Sequence, residues 1–341
     1  MAKKAATMNL PQPYALFLGD ADPLSAKTAA GIAHWRPERC IAQVTLPGCT
    51  TDLRLPTLTA DAAAKAGAKL LIVGIADFGG AIAPRWVPTL LAALEAGLDL
   101  AAGLHHRLAD VPELAAAARR TGRQLFDVRQ PRPEQTPFAT GEKRAGKRLL
   151  SVGTDCAVGK MFASLAIERE LHRRGVPATF RATGQTGIFI AGSGVSVDAV
   201  ISDFVAGAAE ALSPANEPDH WDLVEGQGSL HHPAYAGVTL GLIHGSQPDA
   251  LVVCHAMGRE HIDGYPAYPT PTFEQAIADN ERAARLTNPN ARVVGISVNT
   301  SKAPPDAALA YLKSVANRVG VPACDPVRTG GGAIVDRLLQ P

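Results

Sequence analysis

The chain has 341 residues, which at the ordinary size of a domain allows about two domains. Its 33 Lys and Arg stand against 32 Asp and Glu, a formal net charge of +1, so no global field draws polyanions and neither nucleic acid nor a membrane surface is an expected partner. Hydrophobic residues at 46% exclude disorder, while only 5% aromatic residues predict cores built from Ala, Leu, Val and Ile.

From the N-terminus, MAKKAATMNLPQPYALFLGD reads as neither a signal peptide nor an anchor. Tyr14 to Gly19 reads as a buried strand, Ser25 to Trp35 as a helix, Cys40 to Leu46 as a strand and Asp61 to Gly67 as a short helix. Leu70 to Ala76 (LLIVGIA) is a buried strand followed by Asp77-Phe78-Gly79-Gly80, and Val87 to Gly97 is helical. Strands at Leu98 to Leu104 and Gln124 to Val128 flank a helix at Val111 to Gly122. This alternation predicts a parallel sheet with helices on both faces. Gly19-Asp20 and His105-His106-Arg107 also follow strands, but no GxGxxG supports a dinucleotide site. Arg129 to Gly146, with three prolines and several charges, reads as an interdomain connection or a ligand-facing basic stretch. The expected division is 1–135 for a Rossmann-like α/β domain and 136–341 for a P-loop α/β domain.

In the second half, strands are predicted at Arg148 to Val152, Ala178 to Ala182, Trp221 to Glu225, Ala250 to His255, Arg292 to Asn299 and Ala323 to Val327. Helices are predicted at Lys160 to Arg174, Val200 to Leu212, Thr272 to Leu286, Asp306 to Val319 and Gly332 to Leu339. Five scattered cysteines (Cys40, Cys49, Cys156, Cys254, Cys324) without a CxxC pair exclude a disulfide framework and a zinc ribbon, and no metal is expected. No apolar run reaches membrane-spanning length, so the expected protein is cytoplasmic.

The sharpest motif is Gly153-Thr154-Asp155-Cys156-Ala157-Val158-Gly159-Lys160-Met161, running from an apolar strand directly into a helix. Backbone N–H groups at a helix N-terminus, with a lysine beside them, form an anion cradle suited to phosphate. Thr154 stands where a phosphate loop has its first glycine, and Met161 where it has Ser or Thr. A thioether cannot replace the hydroxyl that ligates Mg²⁺, so the loop suits a ligand whose phosphates are handles, such as coenzyme A, better than ATP being cleaved.

Further candidates end other strands. Arg181 to Ile188 (RATGQTGI) carries Thr186 between glycines, and Asp222 to Leu230 delivers Glu225 at a strand tip before Gly226, Gly228 and Ser229, with His231 and His232 next. The histidine pair reads equally as functional residues or as satisfied or surface ones. Cys254-His255 hints at a nucleophile or metal, but its apolar strand predicts an inert buried thiol. Arg259 is a carboxylate clamp, and Lys302 in Asn299-Thr300-Ser301-Lys302 faces another strand end.

GTDCAVGKM (Gly153 to Met161) and VEGQG (Val224 to Gly228) resemble the phosphate loop and glutamate-bearing strand end of dethiobiotin synthetases. The resemblance is closer to the D-glutamate N-acetyltransferase family, once a domain family of unknown function, in which these motifs join TGQTGI (Thr183 to Ile188), EGQGSLxHPAY (Glu225 to Tyr235) and DAVxxDFVAGAAE (Asp198 to Glu210). It covers most of the chain and is strongest from Leu149 to Arg259. It implies a Rossmann-like domain, a P-loop domain and acetyl transfer from acetyl-CoA to the amine of D-glutamate or a related D-amino acid. The expected partner is a small-molecule substrate, and the expected assembly a homo-oligomer.

Amide formation requires a base for the substrate ammonium, alignment with the thioester and stabilisation of an oxyanion. Gly153 to Met161, with Lys160, would then hold the CoA phosphates. Glu225 or Asp155, or else His232, would take the amine proton. Arg181, Arg259 and Lys302, with Thr186 and Ser229, would bind the substrate. Two alternatives remain at this point: an Mg–ATP-dependent ligase or kinase using Asp155 and Glu225 as metal ligands, and a non-catalytic nucleotide or CoA-binding protein.

Overall fold

A computed structural model describes residues 10–76 and 80–340. The readings placed on the first nine residues and on Asp77, Phe78 and Gly79 lie outside that range. The contacts divide the chain into two units, each with its own parallel sheet.

The first unit takes the chain as far as Gln130 and again from Gln185 to Ser196. Its elements are β1 (Tyr14–Gly19), α1 (Lys27–Trp35), β2 (Cys40–Thr45), α2 (Ala60–Lys65), β3 (Leu70–Val73), α3 (Val87–Glu95), β4 (Asp99–Ala102), α4 (Pro112–Thr121) and β5 (Leu125–Asp127). The sheet order is β2-β1-β3-β4-β5, every pair parallel. β1 and β3 are apolar runs without alternation, and every residue in them is buried, as strands covered on both faces must be. Helix limits follow local chemistry. Thr59 caps α2 by accepting the Ala62 N–H at 3.2 Å, and Gly122 ends α4 at φ +68°, in the left-handed region.

The second unit runs from Pro131 to Gly184 and from Val197 onward. It holds β6 (Lys147–Gly153), α5 (Lys160–Arg173), β7 (Ala178–Arg181), then, beyond the segment that joins the first unit as α6 (Gln185–Ala191), α7 (Val205–Leu212), β8 (Trp221–Val224), α8 (Ala236–Ser246) and β9 (Ala250–Ala256). A hairpin of β10 (His261–Ile262) and β11 (Tyr265–Pro269) precedes α9 (Phe273–Arg285), β12 (Arg292–Asn299), α10 (Pro305–Val319), β13 (Ala323–Cys324) and α11 (Gly332–Leu338). The sheet order β13-β12-β9-β6-β8-β7 is parallel throughout. The strand order switches direction at β6, so the loop after β6 opens where ligands of such sheets bind.

From Gln185 the TGQTGI segment winds into α6, whose Ile188, Phe189 and Ile190 are fully buried. Three elements differ from expectation. The helix expected from Val200 begins only at Val205, after two short 3₁₀ turns. The strand expected over Ala323 to Val327 stops at Cys324, because Asp325 takes up the Thr300, Val327 and Arg328 N–H groups and bends the chain. α8 was not foreseen, since Gly237, Gly241 and Gly245 argue against a helix interior. Two of them have a packing cause: a Cβ on Gly241 would sit 2.6 Å from Val205 Cγ1, and one on Gly245 2.0 Å from the Ala206 carbonyl oxygen. α8 thus lies directly against the start of α7.

Candidate active site

The loop after β6 closes in a strained turn. Ala157 has φ +52° and Gly159 φ +96°, and the second is a conformation that only glycine adopts freely. Val158 is buried beneath the loop, and Thr154 is anchored by its N–H to the Cys254 carbonyl at 3.0 Å and by its hydroxyl to His255 Nδ1 at 2.9 Å. Burial, with Arg259 and Arg318 adding to it, pushes His255 down to about 4, so it is a neutral anchor.

Lys160 opens α5 with only 7% of its surface exposed, and its Nζ donates to the Asp155 carbonyl at 2.7 Å. Burial lowers its pKa, partly offset by the negative groups around it. Asp155 is fully buried, and its carboxylate already accepts from Cys156 N–H at 2.6 Å, Arg259 Nη1 at 2.7 Å and Asp263 N–H at 2.9 Å. Both of its carboxylate oxygens therefore have donors.

Glu225 follows β8 and is held by the end of the neighbouring β7. Its Oε2 accepts the Thr183 N–H at 2.9 Å and the Gly184 N–H at 3.1 Å, while the Thr183 hydroxyl donates to the Glu225 carbonyl at 2.7 Å. Among the described residues nothing donates to Oε1. Burial raises Glu225 to about 7, against the lowering effect of those N–H groups and of Lys160. Gly226 follows because the backbone passes hard against β6: a Cβ there would lie 1.6 Å from the Ser151 carbonyl oxygen and 3.1 Å from Lys160 Cδ. Its N–H is taken by the Ser151 hydroxyl at 3.0 Å.

His232 is 2% exposed, its ring set 4.5 Å from the Tyr235 ring and 5.1 Å from that of Tyr265 on β11. A ring nitrogen of His232, the Cys156 thiol and an Asp155 carboxylate oxygen lie within 4.8 Å of one another. The trio has metal-ligand residue types, but the Asp155 carboxylate is already paired with a guanidinium, so the donor set suits a cation poorly. Burial raises the Cys156 thiol, with the Lys160 charge opposing it.

Asp155, Cys156, Lys160, Glu225, His232 and Arg259 therefore lie around one loop. Other candidates stand elsewhere. Arg181 turns its Nε to Asp222 at 2.8 Å, and Asn216 binds the same carboxylate, so the arginine braces β7 against β8. Lys302 is exposed in the turn after β12. Ser229 is buried in the turn before His232, accepting the His231 N–H at its hydroxyl. Thr186 belongs to the first unit, with its hydroxyl 3.1 Å from that of Thr28 on α1. Cys254 is the buried thiol expected, pushed up to about 12. Sequence reasoning missed Ser151, Thr183 and the Asp263 N–H. TGQTG was a signal for Thr183, whereas nothing near Asp263 marks a backbone donor.

Two family descriptions cover the chain. A domain of unknown function described as a Rossmann-like domain (DUF1611_N) matches residues 44–131, and one described as a P-loop domain (DUF1611_C) matches residues 137–335. A protein of Tritonibacter scottomollicae named D-glutamate N-acetyltransferase is 53% identical over 327 residues, 96% of this chain and 98% of the relative. A protein of the same name from a Pseudoalteromonas species is 48% identical over 334 residues, 97% of this chain and all of the relative. The crystal structure of a DUF1611 family protein from Anabaena variabilis is 33% identical, covers 97% of this chain and 100% of its own, and superposes with a TM-score of 0.86. Matched in both domains and along almost its whole length, the chain belongs to the DUF1611 family.

Proposed function

We propose that this protein is an acyltransferase that moves the acetyl group of acetyl-CoA to the amino group of D-glutamate. The observation that carries the reading is its identity of about half, end to end, with two proteins named for that reaction. The site supports it chemically. Glu225, held through Oε2 and with no donor to Oε1 among the described residues, titrates near 7, where a general base works best at neutral pH. Its Oε1 takes a proton from the substrate ammonium, and the freed amine attacks the thioester carbonyl. The C–S bond breaks as the amide forms; of the two protons the ammonium nitrogen gives up, one leaves on the CoA thiol and the other passes through Glu225 to solvent. Met161, in place of a magnesium-binding hydroxyl, argues against Mg–ATP cleavage at this loop. The five cysteines, none of them paired, fit a reducing cytoplasm.

The test is incubation of the protein with acetyl-CoA and D-glutamate, L-glutamate or D-aspartate, following free thiol and the mass of the product. Thiol release matched by N-acetylated D-glutamate is expected. No release with any of the amino acids, or a requirement for Mg–ATP with ADP as product, overturns the reading.

A further inference from the structure

On sequence alone the loop Gly153–Met161 belongs to the phosphates of CoA. Its surroundings favour a different anion. Lys160 spends one of its three N–H groups on the Asp155 carbonyl and keeps two. His232 accepts the Ala234 N–H at Nδ1, 3.1 Å away. A backbone N–H can only donate, so the neutral ring carries its proton on Nε2, which has no hydrogen-bond partner among the described residues. The two tyrosine rings fix that donor in place. The one carboxylate in the loop, Asp155, is neutralised by Arg259. The mouth of the loop is therefore a set of unspent donors at a helix N-terminus.

Position decides which anion they meet. Gly226, the residue after Glu225, packs on the Lys160 side chain, so the base and the loop share one small space. The amine that gives its proton to Glu225, and the thioester it attacks, must then lie at the loop as well. The phosphates of CoA are separated from its thioester by the whole pantetheine arm. The carboxylates of glutamate are only a few bonds from the amine.

We infer that the loop Gly153–Met161, with Lys160 Nζ and His232 Nε2, holds a carboxylate of D-glutamate rather than a phosphate of CoA. This rests on the acetyl-transfer reading with Glu225 as base. It makes His232 a hydrogen-bond donor to substrate and leaves CoA to be bound by other residues.

Calorimetric titration of D-glutamate and of CoA separately, without acetyl transfer, tests it. Lys160→Ala should weaken D-glutamate by about tenfold or more, the worth of a hydrogen bond to a charged group, and leave CoA within about twofold. His232→Ala should weaken D-glutamate by about tenfold, whereas His232→Gln, which restores an N–H donor, should stay within about threefold. Should the variants fail to fold, the wild-type protein answers alone: inorganic phosphate should compete with D-glutamate and not with CoA. Phosphate that competes with CoA or with neither ligand, or a Lys160→Ala variant that loses CoA and keeps D-glutamate, overturns the assignment. Those outcomes in an enzyme that still acetylates D-glutamate leave the function standing, while an inactive wild type overturns the function itself.

Discussion

Both units carry a parallel sheet, and in both the strand order switches at the first strand, so each has a crevice where α/β proteins bind ligands. The two crevices differ in what burial does to their charges. After β1, Gly19 packs under Ile75 and Trp86, and Asp20 is spent on Arg85 at 2.8 Å and on the Trp86 indole at 2.9 Å, which hold its carboxyl below the usual range. After β6, Lys160 and Glu225 are buried with atoms unspent, and burial drives both toward neutrality. Fold geometry supplies a candidate place twice. Of the two loops compared, buried ionisable groups held at a cost occur in the one after β6.

The contrast breaks most directly at Glu225. Glu225→Gln should lower kcat by about a hundredfold or more and abolish the rise of kcat/KM with pH through about 7, and a loss below about threefold would remove Glu225 as the base. The same carboxyl has a signature in stability. Its folded value, about 7, lies above its ordinary 4.5, so the folded state holds an extra proton between them. That contribution is present below pH 4.5 and lost as pH rises through about 7. Between pH 5 and pH 8 the wild-type melting temperature should fall more than that of Glu225→Gln.

Gly226→Ala forces a methyl group into the Ser151 carbonyl and should cost on the order of 3 kcal/mol in urea unfolding. An unchanged midpoint would mean that the strand end yields easily. Arg259→Ala leaves Asp155 a buried carboxylate with backbone donors alone and should cost about 2 kcal/mol. The smallest effect is expected in the first unit, where Asp20→Asn should cost less than about 1 kcal/mol, since its guanidinium partner is well exposed, and should leave kcat unchanged. An Asp20→Asn enzyme that loses activity would show that the first crevice also does chemistry.

Much of the fold was legible because buried parallel strands are unbroken apolar runs, as in LLIV at β3 and ALVVCHA at β9. The loop and Glu225 were legible because glycines bracket them at strand ends. Helix α8 was not, because its three glycines weaken a helix taken alone, and two of them, Gly241 and Gly245, make sense only when α7 is pressed against them. At Arg181 a cation at a strand end reads as a ligand clamp, and only the position of Asp222 on β8 reveals the ion pair it makes there. Likewise, the burden on Asp155 comes from Arg259 and Asp263, a hundred residues away, and no local pattern records it.

Helix α6 has a consequence for how such a gene can change. The chain leaves the second unit at Gly184, gives the first unit a helix with three fully buried apolar side chains, and returns at Val197. Among the described residues the backbone crosses between the units three times. A cut near residue 131 would strip the first unit of part of its core and leave Ile188, Phe189 and Ile190 on the other fragment without their packing partners. Neither half can be shuffled, lost or duplicated as a module by recombination at a single site. Descendants should therefore carry both halves together or neither.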